Sequence, residues 1–256
     1  MRKLALTVAI ATSSLLFTTT SWSAFRSPSI GGATGLITTP TARTAWESST
    51  FGFDTGYHYV SDQGGTHIPK ATLSLFNRWE IGGAFDTNGD RADNEDILLH
   101  SKFRFSPWSG SSNSALAIGG NFQSLEGPSV TNGQVYLAAT YGGSFFNMPA
   151  ETTFVFGKTF GDGTASGDID FSMGFELDLF PSLFRGYLHW INDFANYSYS
   201  RQAVGAGSGR GIFNTGARID VLKAKSGMSL KVDALLLDAM DDNRSFGMGI
   251  AFGTSF

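Results

Sequence analysis

Two rows of charged side chains, each at alternate positions of the chain, could act together on a solute. The basic row consists of His100, Lys102 and Arg104. The acidic row consists of Asp168, Asp170, Glu176 and Asp178. If the rows face water from opposite walls, they set a field across a channel that orients and filters charged solutes. The alternative is that charges pair across strands and fill the interior. The side chains available for such pairing are Arg78, Glu80, Arg104, Arg185, Asp193, Arg218, Asp220, Lys231 and Asp233.

The histidines do not indicate catalysis or metal binding. Their positions match no hydrolase motif and include no His-x-x-x-His pair. We interpret His58 and His189 as hydrogen-bonding groups inside a barrel. The chain has no Cys, which excludes disulfides and thiolate metal sites. We therefore expect no catalytic residue, no cofactor and no metal, and a hydrolase is the least favoured function.

The stretch Arg244–Phe256 indicates the kind of element that must carry the charged rows. Its residues alternate strictly between two faces. The mainly apolar face consists of Phe246, Met248, Ile250, Phe252, Thr254 and Phe256. The face of small or polar residues consists of Ser245, Gly247, Gly249, Ala251, Gly253 and Ser255. A period of two predicts a strand. With its final aromatic residue, the stretch resembles the C-terminal signature of bacterial outer-membrane β-barrels. That resemblance implies that Phe252 and Phe256 form a signal for the barrel assembly machinery.

The same alternation recurs along the chain and predicts about eleven strong strands. The stretches are 51–59, 72–85, 97–105, 116–122, 135–141, 154–160, 169–179, 184–190, 213–221, 228–236 and 246–256. The chain contains 32 Gly and 23 Phe, and its mean hydropathy is only −0.04. This composition is typical of a barrel with lipid outside and water inside. The predicted fold is therefore all-β, a transmembrane antiparallel up-and-down β-barrel in the bacterial outer membrane, surrounded by outer-membrane lipid.

Bacterial outer-membrane barrels have an even number of strands, with both chain ends in the periplasm, and this rule constrains the strand count here. Counting back from Phe256, this parity makes Phe51–Tyr59 run inward from the outer face. The preceding chain must then first cross outward, and we consider two paths. Either Ile30–Thr38 is a first strand, giving twelve, or the segment Thr39–Arg43 threads the lumen. We favour about twelve strands, with about ten or about fourteen as alternatives, because Asp193–Tyr199 could extend one strand or form another.

The first 23 residues read as a cleaved signal peptide. Arg2 and Lys3 precede an apolar run that ends at Phe17, and Ser21-Trp22-Ser23 offers a cleavage site. The run of about 14 residues is too short to span a bilayer. We expect one barrel domain over residues 24–256. The net charge of −4 argues against a nucleic-acid partner.

A motif near the start of the predicted domain suggests a family. The stretch Gly31–Arg43, GGATGLITTPTAR, resembles the N-terminal signature of the YjbH-like outer-membrane barrels, which are associated with exopolysaccharide or capsule secretion. The matching residues are Gly32, Gly35, Leu36, Thr39, Pro40, Thr41, Ala42 and Arg43. The resemblance implies a structural or accessory role in surface polysaccharide export, with polysaccharide or export components as partners.

Two non-enzymatic functions follow from these patterns. The first is the accessory role in polysaccharide export that the motif implies. The alternative is a porin-like channel for small hydrophilic solutes, which the mixed charges of the interior permit. The candidate lumen-lining residues are Arg78, Glu80, His100, Lys102, Arg104, Asp168, Asp170, Glu176, Asp178, Arg185, His189, Arg218 and Asp220.

Overall fold

Twelve antiparallel strands close into a single barrel. The computed structural model describes residues 26–47, 49–61, 64–88, 95–105, 113–125, 130–161, 169–196, 211–223, 227–240 and 244–256. The strands are β1 Phe51–Val60, β2 Thr66–Leu75, β3 Trp79–Asn88, β4 Glu95–Phe105, β5 Ser114–Leu125, β6 Val130–Phe145, β7 Met148–Gly161, β8 Asp170–Asp178, β9 Leu188–Ala195, β10 Ile212–Leu222, β11 Met228–Leu237 and β12 Ser245–Ser255. Each pairs with its neighbours in sequence, and β1 pairs with β12. The predicted fold class is confirmed.

The strands form because their side chains alternate between two environments. On β6, Val135 and Leu137 are 53% and 58% exposed, whereas Tyr136 and Ala138 between them are each 1% exposed. Large apolar side chains thus cover the outside, and polar or small ones face the lumen. A closed sheet leaves no unpaired edge, which is what a lipid surround requires. No described helix is long and apolar enough to cross a membrane, and the only described one, α1 Pro181–Phe184, links β8 to β9.

The start of β1 and the end of β12 lie at the same end of the barrel, which we call the terminal end. The amide of Phe256 donates to the carbonyl of Phe51 over 2.9 Å. Because the strands alternate in direction, the β2–β3, β6–β7 and β8–β9 connections also lie at the terminal end. The predicted signal peptide lies outside the described residues.

The predicted path through the first strands is wrong. The stretch 72–85 contains parts of two strands, β2 and β3, joined by a tight turn at Phe76 and Asn77, whose φ angles are 53° and 58°. The additional strand makes β1 run away from the terminal end, opposite to the predicted direction. No strand at Ile30–Thr38 is therefore needed, and the twelve strands all lie between Phe51 and Ser255.

Residues 26–47, which come before β1, lie inside the barrel. We call residues 26–47 the plug segment. Its backbone–backbone hydrogen bonds join it to itself, for example from Ile30 N to Ile37 O at 2.8 Å and from Arg26 N to Ala45 O at 2.9 Å. Two isolated β-bridges, Pro28 with Thr34 and Gly35 with Pro40, tighten the fold-back. Of the two predicted paths, the second is right that Thr39–Arg43 lies in the lumen, but the segment folds back to the terminal end and does not carry the chain across the barrel.

Candidate functional site

The lumen wall holds the tip of the plug segment through charged side chains directed at its backbone. On β9, one Asp193 carboxylate oxygen accepts hydrogen bonds from the amides of Ile37, Thr38 and Thr39 at 3.1, 2.6 and 2.8 Å. The other oxygen accepts from Asn214 of β10 at 2.8 Å. Charge-assisted hydrogen bonds of this kind are about twice as strong as neutral ones. Asp193 therefore fixes three consecutive residues of the plug segment.

A second carboxylate holds the same segment from the other side of the barrel. Glu80 of β3 accepts hydrogen bonds from the amide and the hydroxyl of Thr34, at 2.8 and 2.5 Å. Lys102 of β4 donates to the carbonyl of Thr34 at 3.1 Å and lies 3.1 Å from a Glu80 carboxylate oxygen. Both polar backbone groups of Thr34 are thus satisfied by buried charges, as buried polar groups must be.

Two further cations bind carbonyl groups of the plug segment. Lys70 of β2 donates to the carbonyls of Ser29 and Ile30 at 2.8 and 2.6 Å. Arg218 of β10 donates to two later carbonyls of the segment, at 3.2 and 3.3 Å. Arg218 also forms a two-pronged pair with Asp233 of β11, with both distances 2.9 Å. The wall therefore offers carboxylates to N–H groups and cations to C=O groups.

Glycines on the inner face of the wall leave room for the largest side chains of the plug segment. A Cβ on Gly52 of β1 would lie 2.1 Å from a ring carbon of Trp46, which is fully buried. A Cβ on Gly174 of β8 would lie 2.6 Å from Leu36. A larger residue at Gly52 would displace the segment, and one at Gly174 would meet both Leu36 and the wall carbonyl of Asn192, at 2.3 Å, so wall and segment are complementary in shape.

An ion-pair cluster at the terminal end ties the plug segment to β4 and β7. We call Arg26, Arg43, Glu47, Arg104 and Glu151 the latch. Arg104 pairs with Glu47 at 2.7 Å, and Glu151 pairs with Arg43 at 3.1 Å and also with Arg26. Burial raises the pKa of the Glu47 carboxyl, but the guanidinium groups of Arg26, Arg43 and Arg104 outweigh burial and hold that pKa below its usual value. Glu47 is therefore charged at neutral pH.

The described residues of the two predicted charged rows face the lumen, where most of them have local partners. Lys102 pairs with Glu80, and Arg104 pairs with Glu47. In the acidic row, Asp170 accepts hydrogen bonds from Gln134 and Thr159, and Glu176 lies 3.3 Å from Arg218. Local pairing therefore takes the place of an open electric field between the rows. The lumen itself is filled by the plug segment. Asp168 lies outside the described residues.

Two predicted lumen-lining residues are not in the lumen. Arg78 and Arg185 lie exposed in the turns after β2 and after α1. Arg185 has a positive φ of 53°, which ends the helix turn and directs the chain into β9. The family-motif residues all lie in the plug segment, and both assembly-signal residues, Phe252 and Phe256, are exposed, at 39% and 81%.

Three histidines lie in the lumen beside carboxylates. His58 is 3.7 Å from Asp233, and His100 is 3.5 Å from Glu80. His189 of β9 has three carboxylates within reach, at 3.4, 3.6 and 3.6 Å, from Glu176, Asp178 and Asp220. Across the described ranges, no group of His, Asp or Glu side chains is arranged to hold a metal ion. The expectation that the chain is not an enzyme stays a prediction.

Several residues of the site were not found by sequence reasoning. Lys70, Asp54 and Glu151 face the lumen, and Arg26 and Glu47 belong to the latch. Lys70 was missed because Pro69 interrupts the pattern of β2, and Pro within a run argues against a strand. The alternation of Thr66, Ile68, Lys70, Thr72 and Ser74 is the signal that could have found β2.

Comparisons with known proteins place the fold. No protein-family model and no curated protein matches the chain. The structure is similar to the KdgM porin in complex with disordered oligogalacturonate, with a TM-score of 0.51, 7% identity, and coverage of 79% of this chain and 99% of that chain. It is also similar to the NanC porin, with a TM-score of 0.52, 10% identity, and coverage of 80% and 100%. The Acinetobacter baumannii protein Omp33 matches at a TM-score of 0.47, with 11% identity and coverage of 81% and 98%. The fold is that of an outer-membrane porin, and the chain is an outer-membrane β-barrel.

Proposed function

We propose that this protein is an outer-membrane channel for small hydrophilic solutes, and that the plug segment closes this channel. The observation behind the proposal is a closed barrel with an apolar outside and a charged lumen, filled by a segment that side chains hold in place. Residues of the segment such as Thr39, Ala42 and Ala45 are fully buried, so the path is shut in this conformation.

The plug segment is built so that it can leave. Its backbone–backbone hydrogen bonds are internal, so it adds no strand to the wall and keeps these bonds when it moves, while its bonds to wall side chains break. Its first and last described residues, Arg26 and Glu47, both belong to the latch at the terminal end. Withdrawal through that end would therefore need no threading of the chain through the barrel.

Three of the wall charges that bind the plug segment also have partners in the wall. Without the segment, Glu80 keeps Lys102, and Arg218 keeps Asp233. Asp193 keeps Asn214. Leaving a buried charge unpaired is strongly destabilising, and these three anchors avoid that cost. The barrel can therefore hold its shape around water once the segment withdraws.

A crosslink between plug segment and wall tests gating. The chain has no Cys, so introduced thiols are the only ones. Ala42 of the segment packs in one cluster with Ala138 of β6, and both are buried. We expect the Ala42→Cys, Ala138→Cys variant to show no channel openings in planar bilayers when oxidised. Reduction should restore the openings of the wild-type protein.

A crosslink within the wall is the matched control. Ala117 of β5 is the direct register partner of Ala138. The Ala117→Cys, Ala138→Cys variant therefore carries the same bond but leaves the segment free, and its openings should not depend on oxidation. Full conductance of the crosslinked Ala42 variant would show that the segment is not a gate. Silence of the wild-type protein under all conditions would contradict a channel.

The accessory role in surface polysaccharide export is the second candidate. It rests on the resemblance of the motif, and the position of that motif favours it, since all eight matching residues lie in the segment that fills the lumen. Deletion of the gene separates the two functions. Loss of surface polysaccharide with unchanged uptake of small solutes would support export, whereas slower uptake with unchanged polysaccharide would support the channel.

A further inference from the structure

The described lumen wall carries more carboxylates than cations. The carboxylates that face inward are Asp54, Glu80, Asp86, Asp96, Glu151, Asp170, Glu176, Asp178, Asp193, Asp220 and Asp233. The inward cations are Lys70, Lys102, Arg104, Arg218 and Lys231. The pairs Lys102–Glu80, Arg218–Asp233 and Lys231–Asp220 each neutralise one carboxylate. The remaining carboxylates still outnumber the remaining cations.

The plug segment partly offsets this excess. It contains two arginines, Arg26 and Arg43, and one carboxylate, Glu47, so it is a net cation inside an acidic lumen. Both arginines bind Glu151 of the wall. When the segment withdraws, Glu151 loses both of these partners, and the lumen becomes more negative than in the closed state.

Withdrawal also uncovers a carboxylate that lies beneath the segment. Asp54 of β1 is fully buried, and among the described residues no cationic group lies within 4 Å of its oxygens. Its neighbours on the same face of β1 are Gly52, which lies against Trp46, and Gly56, where a Cβ would lie 3.3 Å from Pro28. Trp46 and Pro28 belong to the plug segment. Once the segment leaves, Asp54 faces the open lumen.

We infer that the open channel selects small cationic solutes, a conclusion that rests on the proposed channel function. A passage lined by one sign of charge in low-dielectric walls concentrates ions of the opposite sign. Rings of Asp and Glu act in this way in cation channels. A cationic solute in the open lumen takes the place of the arginines of the plug segment.

Reversal potentials of the full-length mature protein in a KCl gradient test the inference. We expect a preference for K⁺ over Cl⁻ of about tenfold, as for a passage that focuses counter-ions. In liposome swelling, arginine should enter faster than glutamate, which is similar in size and opposite in charge. A preference for Cl⁻, or equal permeability, overturns the inference. Absence of conductance in every condition overturns the proposed channel function instead.

Neutral substitutions at one end of β4 distinguish the effect of lumen charge on the reversal potential from the effect of surface charge. Asp96 of β4 faces the lumen at 6% exposure, and the adjacent Glu95 is exposed on the other face. Asp96→Asn, alone and with Asp54→Asn, should shift the reversal potential toward zero in that order. Glu95→Gln removes the same charge from the same strand and should leave the potential unchanged. Equal shifts from Asp96→Asn and Glu95→Gln would mean that surface charge sets selectivity, against the inference.

Discussion

At the scale of single residues, the wall recognises the plug segment as a backbone. Asp193 and Glu80 accept from amides, and Lys70, Lys102 and Arg218 donate to carbonyls. Contacts of this kind depend on the path of the chain more than on its side chains. This explains why the segment GGATGLITTPTA can be uncharged and small while the wall around it is densely charged.

Replacement of Asp193 tests this backbone recognition. Asp193→Ala removes the acceptor of three amides, and hydrogen bonds to charged groups contribute about 1.5–3 kcal/mol each. Because a single carboxylate oxygen accepts from all three amides, their contributions do not add, and we expect a loss of about 3 kcal/mol in the free energy of unfolding and more frequent openings in planar bilayers. Thermal unfolding in detergent and single-channel recording measure the two effects.

The conservative variant distinguishes a lost anchor from a lost charge. Asp193→Asn keeps one oxygen that can accept from the amides, so its openings should fall between those of wild type and Asp193→Ala. If Asp193→Asn were as open as the alanine variant, the net charge of the lumen rather than the hydrogen bonds would hold the segment.

At the scale of elements, most strands were predictable and the path of the plug segment was not. Strands such as β6 and β12 alternate because lipid wets one face and the lumen the other, and a period of two records this directly. The plug segment has no period, since its order comes from wall charges far away in sequence. Asp193 lies 154 to 156 positions from the amides that it binds.

The missed boundary between β2 and β3 has a local physical cause. Two-residue hairpin turns of type I′ need positive φ at both central residues, and Asn-Gly is their usual signal. Here Phe76 and Asn77 adopt these angles without any Gly, and Phe146 and Asn147 do the same between β6 and β7, with φ of 47° and 61°. The repeated Phe-Asn pair is thus the turn signal of this chain.

These turns predict that stability can be gained. A non-glycine residue in the left-handed region costs about 1–2 kcal/mol. Phe146 is 80% exposed, so replacing its ring removes little packing. We expect Phe146→Asn with Asn147→Gly to raise the free energy of unfolding by about 1 kcal/mol in detergent micelles. A loss in lipid vesicles despite a gain in micelles would indicate that the ring anchors the turn at the membrane surface.

At the scale of the whole molecule, lipid outside and a filled lumen inside place opposite demands on each strand. The outer surface is apolar around the barrel, as Ile81, Leu99 and Ile250 illustrate at 44%, 50% and 47% exposure. The lumen holds charges that would be costly in an apolar environment without partners. The barrel wall therefore separates an apolar environment outside from a polar environment inside. The plug segment supplies part of that polar environment.

The depth of a charge on the outer face tests this separation. Leu137 lies halfway along β6 and Phe145 at its terminal end, and they are similarly exposed at 58% and 56%. Arginine costs about 2–4 kcal/mol at the bilayer midplane and about 0–1 kcal/mol near the interface. Leu137→Arg should therefore lower the free energy of unfolding in lipid vesicles by about 2–4 kcal/mol, and Phe145→Arg by much less. Because both variants add the same charge and remove a large apolar side chain, equal losses would mean that lipid does not surround the middle of β6.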